Sequence, residues 1–218
     1  MPDGDLEFYH RPLSPEPSFS VTKAMLRNAG IGRSYWPVSV QRVPDTCSHK
    51  VKLISMISNL PRDERNGKGA VFVGNHGYGK TSVASIMLKA AMARGGQCYH
   101  RLASSIEHAY EKRWTETNSD GIEIWEVLTR SQLLTIDDLG TELASGGYKA
   151  GDIRIIEELI RRRYDDRLVT YITTNLPVPE LIKQYPSVSS ILVDPSRFYS
   201  ISVRGFNWRK GNDPEQES

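Results

Sequence analysis

The chain has 218 residues, a formal net charge of +2, 39% hydrophobic and 25% charged residues. That length suits one α/β domain with short extensions and a sizeable core, in a composition ordinary for soluble globular chains. It excludes a generally polybasic surface, so any nucleic-acid contact has to come from local patches. The two cysteines, Cys47 and Cys98, match no metal or redox spacing, and Cys98 in its apolar stretch reads as a small buried hydrophobe. Met1–His10 is acidic and lacks the apolar centre of a secretory signal, and no run reaches the roughly 20 apolar residues of a membrane span. A cytoplasmic protein, bacterial or in an infected host cell, with no membrane partner is expected.

Residues 1–27 read as an N-terminal extension. Pro2, Pro12, Pro15 and Pro17 among serines and acids predict an extended or partly disordered start, followed by a short helix over Val21–Asn28 that Gly30 ends. Ile31–Pro44 is an irregular connector carrying Tyr35 and Trp36. A helix is expected over His49–Leu60, apolar at Val51, Leu53, Ile54 and Ile57 and stopped by Pro61. After a polar loop, Ala70–Val73 is a short β-leaning run, and Thr81–Arg94 shows Val83, Ile86, Met87, Ala90 and Ala91 at helical spacing. Gly95-Gly96 stops that helix. Gln97–Leu102 then reads as a strand and Ser104–Trp114 as a helix, with a polar loop and a short helix, Ile122–Thr129, behind it. Leu133–Ile136 is a third strand. A glycine-rich loop, Gly140–Gly151, leads to a helix over Asp152–Tyr164 and a strand over Leu168–Thr173. A brief helix at Pro177 and Pro179, a fifth strand over Ser200–Val203 and a loose acidic tail, 211–218, complete the chain. Repeated β–α alternation predicts an α/β fold with a parallel sheet covered on both faces.

Between the first strand and its helix lies Gly74-Asn75-His76-Gly77-Tyr78-Gly79-Lys80-Thr81, which fits the pattern G-x-x-x-x-G-K-[ST]. Strand, glycine loop and helix in that order form a phosphate cradle: the glycines let backbone N–H groups turn inward, and the helix N-terminus adds partial positive charge. Lys80 is placed to reach the β- and γ-phosphates, and the Thr81 hydroxyl to take a position on Mg²⁺. These residues imply binding of a nucleoside triphosphate.

The third strand continues as Leu134-Thr135-Ile136-Asp137-Asp138-Leu139-Gly140. An acid at such a strand end holds Mg²⁺ directly or through water, a role that falls to Asp137, while Asp138 polarises the attacking water as a general base. A solvated turn is the alternative reading of the Asp pair. The next strand ends in Thr173-Thr174-Asn175, where Asn175 either orients water near the γ-phosphate or caps the turn before Pro177. Lys112 and Arg113, beside Trp114, suit a single strand of nucleic acid by charge and stacking, or a solvated helix end. Arg161-Arg162-Arg163 with Arg167 form the densest basic cluster and equally complement a helix dipole. Tyr148 and Lys149 are a further candidate for the same contact.

Together these residues resemble the helicase-loader branch of the AAA+ ATPases, the DnaC and DnaI loaders and the IstB transposition ATPase. The resemblance covers about residues 28 to 210. It is carried by the phosphate loop, Leu-Thr-Ile-Asp-Asp-Leu-Gly at 134–140, Arg163-Tyr164, Ile-Thr-Thr-Asn-Leu-Pro at 172–177, Ser-Arg-Phe at 196–198 and Gly-Phe-Asn-Trp-Arg at 205–209. It implies a P-loop NTPase fold of the AAA+ (ASCE) type, a three-layer sandwich around a five-stranded parallel sheet. Asn175 then looks like sensor 1, Arg197 like the arginine finger, Arg209 like sensor 2, and Asn28–Ile31 like the strip beside the adenine, with Ile31 in contact. The implied activity is Mg²⁺-dependent ATP hydrolysis, with a DnaB-like replicative helicase and single-stranded DNA as partners, a homo-oligomer as the working state and a phage or prophage replication module as the setting. Two departures from the family are present: Asp138 sits where many AAA+ proteins carry Glu, and about thirty residues precede the resembling part where bacterial loaders carry a sizeable helicase-binding domain. An IstB-like partner of a transposase, a small-molecule P-loop kinase and a non-hydrolysing nucleotide-gated adaptor are the competing readings.

Overall fold

Val71, Ile136 and Ile172 point to one side of their strands and Ala70, Phe72, Leu133 and Tyr171 to the other, and all are almost completely buried. Strands apolar on both faces need a layer of helices on each. The computed structural model describes residues 12–112, 123–140 and 150–204 and has this arrangement. In chain order the elements are α1 Lys23–Asn28, α2 Lys50–Arg65, β1 Gly69–Val73, α3 Lys80–Met92, β2 Cys98–Leu102, α4 Ile106–Glu111 and α5 Ile124–Arg130. They continue with β3 Leu133–Leu139, α6 Ala150–Asp165, β4 Val169–Thr174, α7 Val178–Gln184, α8 Ser189–Leu192 and β5 Phe198–Ser202.

The sheet order is β2-β3-β4-β1-β5, and every pairing is parallel. On one face, α2, α3 and the segment before them pack with Phe72 and Tyr171; on the other, α4 to α8 pack with Ile136 and Ile172. The expected three-layer α/β sandwich with five parallel strands is therefore present. Helix α3 is enclosed on nearly all sides: Val83, Ala84, Met87, Leu88 and Ala91 are each at most 3% exposed. β4 lies between β1 and β3, so the strand ending in Thr174 separates the phosphate-loop strand from the acidic strand.

Several boundaries differ from the sequence reading. Helix α2 runs through Pro61 to Arg65. Proline removes one backbone donor but leaves the following turn intact, and tertiary contacts carry the helix on: Leu60 is 1% exposed, and buried Asp63 accepts a 3.2 Å hydrogen bond from the Tyr199 hydroxyl on β5. The buried stripe of α2 is Leu53, Met56 and Leu60, whereas Val51 and Ile54 of the expected stripe are exposed. The proline-rich stretch from residue 12 is extended and docked: Leu13 is buried, and the backbone of Ser14, Ser18 and Phe19 bonds to the carbonyls of Ala93 and Arg94 after α3. β3 extends past Ile136 to Leu139, and β5 starts at Phe198. Among the described residues no helix is long and apolar enough to cross a membrane.

Candidate active site

Helix α3 begins at Lys80 because Gly79 before it adopts φ 88°, a left-handed conformation that other residues enter only with strain. The first bond into the helix is Val83 N to Gly79 O at 2.9 Å, so the earlier N–H groups of the first turn have no intrahelical acceptor and face out of the helix end. At the start of the loop, a side chain on Gly74 would meet the Val203 carbonyl at 2.4 Å, so the loop passes the chain leaving β5 only because residue 74 has none. The Lys80 ammonium lies back in the loop, donating to the Asn75 carbonyl at 3.0 Å and to Asn175 Oδ1 at 2.6 Å.

Asp137 is 2% exposed. Its carboxylate accepts from the Thr81 hydroxyl at 3.0 and 3.2 Å and from the Thr173 hydroxyl at 2.6 Å, and His100 Nε2 on β2 lies 3.5 Å away. Burial lifts the Asp137 carboxyl above its ordinary range, opposed by His100, Thr173 and Thr81. Burial likewise lowers the His100 imidazole, against the pull of Asp137.

In a regular strand Asp137 and Asp138 would face opposite sides of the sheet. In this chain the register of β3 against β4 shifts between Ile136 and Leu139, and Asp138 takes φ 57°. Such a bulge re-aims side chains. The Asp138 N–H donates to Thr173 Oγ1 at 2.8 Å, and Asp138 joins Gly77, Gly79, Lys80 and Thr81 around a cavity of about 460 Å³. Thr173 thus ties both acids to β4.

The far wall of this cavity is Ser34, Tyr35 and Val38, with His76 and Ser82 completing it. A second cavity, of about 700 Å³, lies on the other side of the loop against Gly74, Asn75, Tyr78 and Asn175, with Ser200, Ser202 and Arg204 from the β5 side. Among the described residues, Asn175 Nδ2 is buried without a hydrogen-bond partner. Ile31 does not line either cavity; it is buried beneath the wall, and its carbonyl accepts from Trp36 Nε1 at 2.8 Å.

Of the arginines singled out in the sequence, Arg197 sits at the opposite edge of the sheet. It precedes β5, whose five residues separate it from the level of Val73 by roughly 16 Å at about 3.3 Å per residue. Its guanidinium lies 4.3 Å over the Tyr164 ring and donates to the Tyr164 carbonyl at 2.8 Å and the Gly67 carbonyl at 3.2 Å. Lys112 follows α4 and is exposed, as are Arg161 and Arg162 near the end of α6, where Arg161 donates to the Ser187 carbonyl. Arg163 does not belong with them: it is fully buried and bonds to Thr170, Leu128, Ser131 and Val169. Arg113, Trp114, Tyr148, Lys149 and Arg209 lie outside the described residues.

Sequence reasoning missed His100, Thr173, Ser34, Tyr35 and Val38 at this site. Thr173 belongs to the polar end of its strand, which was the available signal. A histidine inside a predicted strand was the sole local sign of His100, and the wall residues carried none beyond two aromatics in a connector.

No protein-family profile matches the chain, and no curated protein matches its sequence. Solved structures do match. The crystal structure of the DnaC helicase loader superposes with a TM-score of 0.66 at 21% identity, covering 79% of this chain and all (100%) of that one. The chain shares that structure's fold, a five-stranded parallel sheet between two layers of helices. A putative primosome component from Streptococcus pyogenes serotype M3 shares it with a TM-score of 0.61 at 14% identity, over 86% of this chain and 99% of that one. So does the replication initiator DnaA bound to AMPPCP and single-stranded DNA, with a TM-score of 0.57 at 13% identity, over 79% of this chain and 50% of the initiator.

Proposed function

We propose that this chain is an AAA+ ATPase of the helicase-loader type, which binds ATP and Mg²⁺ in the cavity between the phosphate loop and the wall at Ser34–Val38. The observation that carries the reading is the convergence of Thr81, Asp137 and Thr173 beside the Lys80–Asn175 pair at one end of the phosphate loop. Thr81 and Asp137 offer hard oxygen donors, and the described residues hold no cluster of three or more His, Cys, Asp or Glu. That donor set suits Mg²⁺, which keeps waters and phosphate oxygens as its other ligands and, when bound, neutralises phosphate charge.

In this reading Lys80 exchanges Asn175 Oδ1 for a phosphate oxygen, which frees Asn175 to orient the attacking water. Asp138 accepts the proton of that water as its oxygen attacks the γ-phosphorus and the bond to the β-γ bridging oxygen breaks, giving ADP and phosphate. Arg197 reaches a neighbouring protomer's γ-phosphate across a subunit interface, and Arg209 contributes as sensor 2. Ile31 supports the base-side wall from beneath. Lys112, Arg113, Arg161 and Arg162 are the candidate contacts to single-stranded DNA, and a DnaB-like helicase is the proposed cargo.

Calorimetric titration of ATP in Mg²⁺ tests the nucleotide site. Lys80→Ala should weaken binding by on the order of 100-fold, about 2.7 kcal/mol, in a protein that still unfolds cooperatively; unchanged affinity would falsify the assignment. Asp138→Asn should keep ATP binding and lower turnover by roughly 10²- to 10⁴-fold. For the cargo, the measurement is ATP-dependent transfer of a DnaB-like helicase onto single-stranded DNA. Co-elution with a transposase instead would replace the loader reading by the IstB-like one.

A further inference from the structure

Lys89 lies on α3, the helix that starts at the phosphate-loop lysine. Its half-buried ammonium donates to the carbonyls of Tyr35 at 3.0 Å, Trp36 at 3.2 Å and Val38. Three convergent carbonyls account for all three ammonium protons. Among the described residues no carboxylate pairs with it; burial, helped by Arg42 of the same sign, pushes Lys89 down to about 8. A buried ammonium without a counter-ion is costly unless its hydrogen bonds are complete. Completing them takes three carbonyls from a single short strip of chain.

That strip is the far wall of the 460 Å³ cavity, where Tyr35 and Val38 face Gly77, Gly79 and Thr81. The strip has little regular structure of its own, a three-residue 3-10 turn at Arg33–Tyr35 and single turn bonds after it. Phosphates held on the loop leave the nucleoside to run along this wall, so its distance from the loop sets the fit of the nucleoside. A cation on the loop's own helix fixes that distance.

Resting on the nucleotide-binding reading proposed for this cavity, we infer that Lys89 is a positioning residue that clamps the Tyr35–Val38 wall against α3 and thereby sets affinity for the nucleoside part of the ligand, without touching the phosphates. The test uses the full chain, Lys89→Met, which keeps an unbranched stem and loses the ammonium, with ATP and inorganic tripolyphosphate as probes in Mg²⁺. The expected result is roughly tenfold weaker ATP binding, about 1.4 kcal/mol, with tripolyphosphate binding unchanged. Lys89→Arg, which keeps charge and donors without three-fold convergence, should fall between wild type and Lys89→Met, and serves if the methionine variant does not fold. Equal losses for both probes, or unchanged ATP binding, overturn the inference. Wild-type protein that binds both probes equally tightly also overturns it, because the wall then contributes nothing. Wild-type protein that binds neither probe sinks the nucleotide reading itself.

Discussion

At the N-terminal edge of the sheet, Arg163 directs its donors onto Thr170, Leu128, Ser131 and Val169, and Asp63 meets Tyr199, so these particular polar groups are consumed in closing the fold. At the C-terminal edge, Asn175 keeps a buried N–H₂ without a partner among the described residues, Asp138 holds a strained backbone, and Lys80 and Asp138 border an open cavity. Both edges are built from the same strands and contain comparable residue types. The difference lies in saturation: hydrogen bonds completed within the chain add stability, whereas groups held in place with spare capacity are available to a ligand. Strain such as that of Asp138 persists where the surroundings over-determine it, in this case through the Thr173 hydroxyl.

Arg197 belongs to the saturated edge yet is proposed to act on a neighbour's open one. Arg197→Ala should leave ATP affinity within about twofold and lower turnover by roughly 10³-fold or more, the range of arginine fingers. Mixing Arg197→Ala with Lys80→Ala should restore part of the ATPase activity, since one mixed interface pairs an intact loop with an intact arginine. If the two variants co-assemble and no ratio restores turnover, Arg197 is a structural residue of its own chain, like Arg163.

Arg163 should show the opposite profile. Burial pushes its guanidinium down to about 9, and no carboxylate bonds to it among the described residues. Arg163→Ala leaves four acceptors unanswered and should cost about 3 kcal/mol of stability, read as a lowered midpoint in denaturant, while single-stranded DNA binding per folded molecule stays as in wild type. A stable variant with weakened DNA binding would return Arg163 to the exposed basic cluster.

The smallest effect concerns pH at the open edge. His49 precedes the first turn of α2, is 4% exposed, and burial holds its imidazole below the usual value. A folded value below the unfolded one means the unfolded chain takes up the proton first, so stability present above about pH 6.5 is lost as pH falls through the folded value. The loss is at most about 1.4 kcal/mol per pH unit. Thermal unfolding between pH 7.5 and 5 should show His49→Gln declining less than wild type; parallel declines would place the acid sensitivity elsewhere.

How far the site could be read from sequence follows from how local each part is. The eight residues from Gly74 to Thr81 are contiguous, so a strand, a glycine turn and a helix start could be read together, and the apolar run before Asp137 marked a strand end. That Asp137 and Thr81 meet needed only the parallel order of strands that the resemblance implied. Nothing local announced that Asp138 would turn onto the same side as Asp137, since that depends on a register shift against β4. His100, Thr173 and Lys89 act through partners far along the chain, and Arg163 looked like its exposed neighbours because burial is not written in residue type.

By itself, the sequence determined the alternation of strands and helices, the three-layer class and the phosphate loop, because hydrophobic period and glycine placement act over a few residues. Tertiary structure alone decided that α2 would pass Pro61, that Arg163 would be enclosed while Arg161 and Arg162 stayed exposed, and that Lys89 would bind the chain at Tyr35–Val38. Each of these outcomes rests on burial and hydrogen bonds between residues distant in the chain, whose energies exceed the local preferences they override.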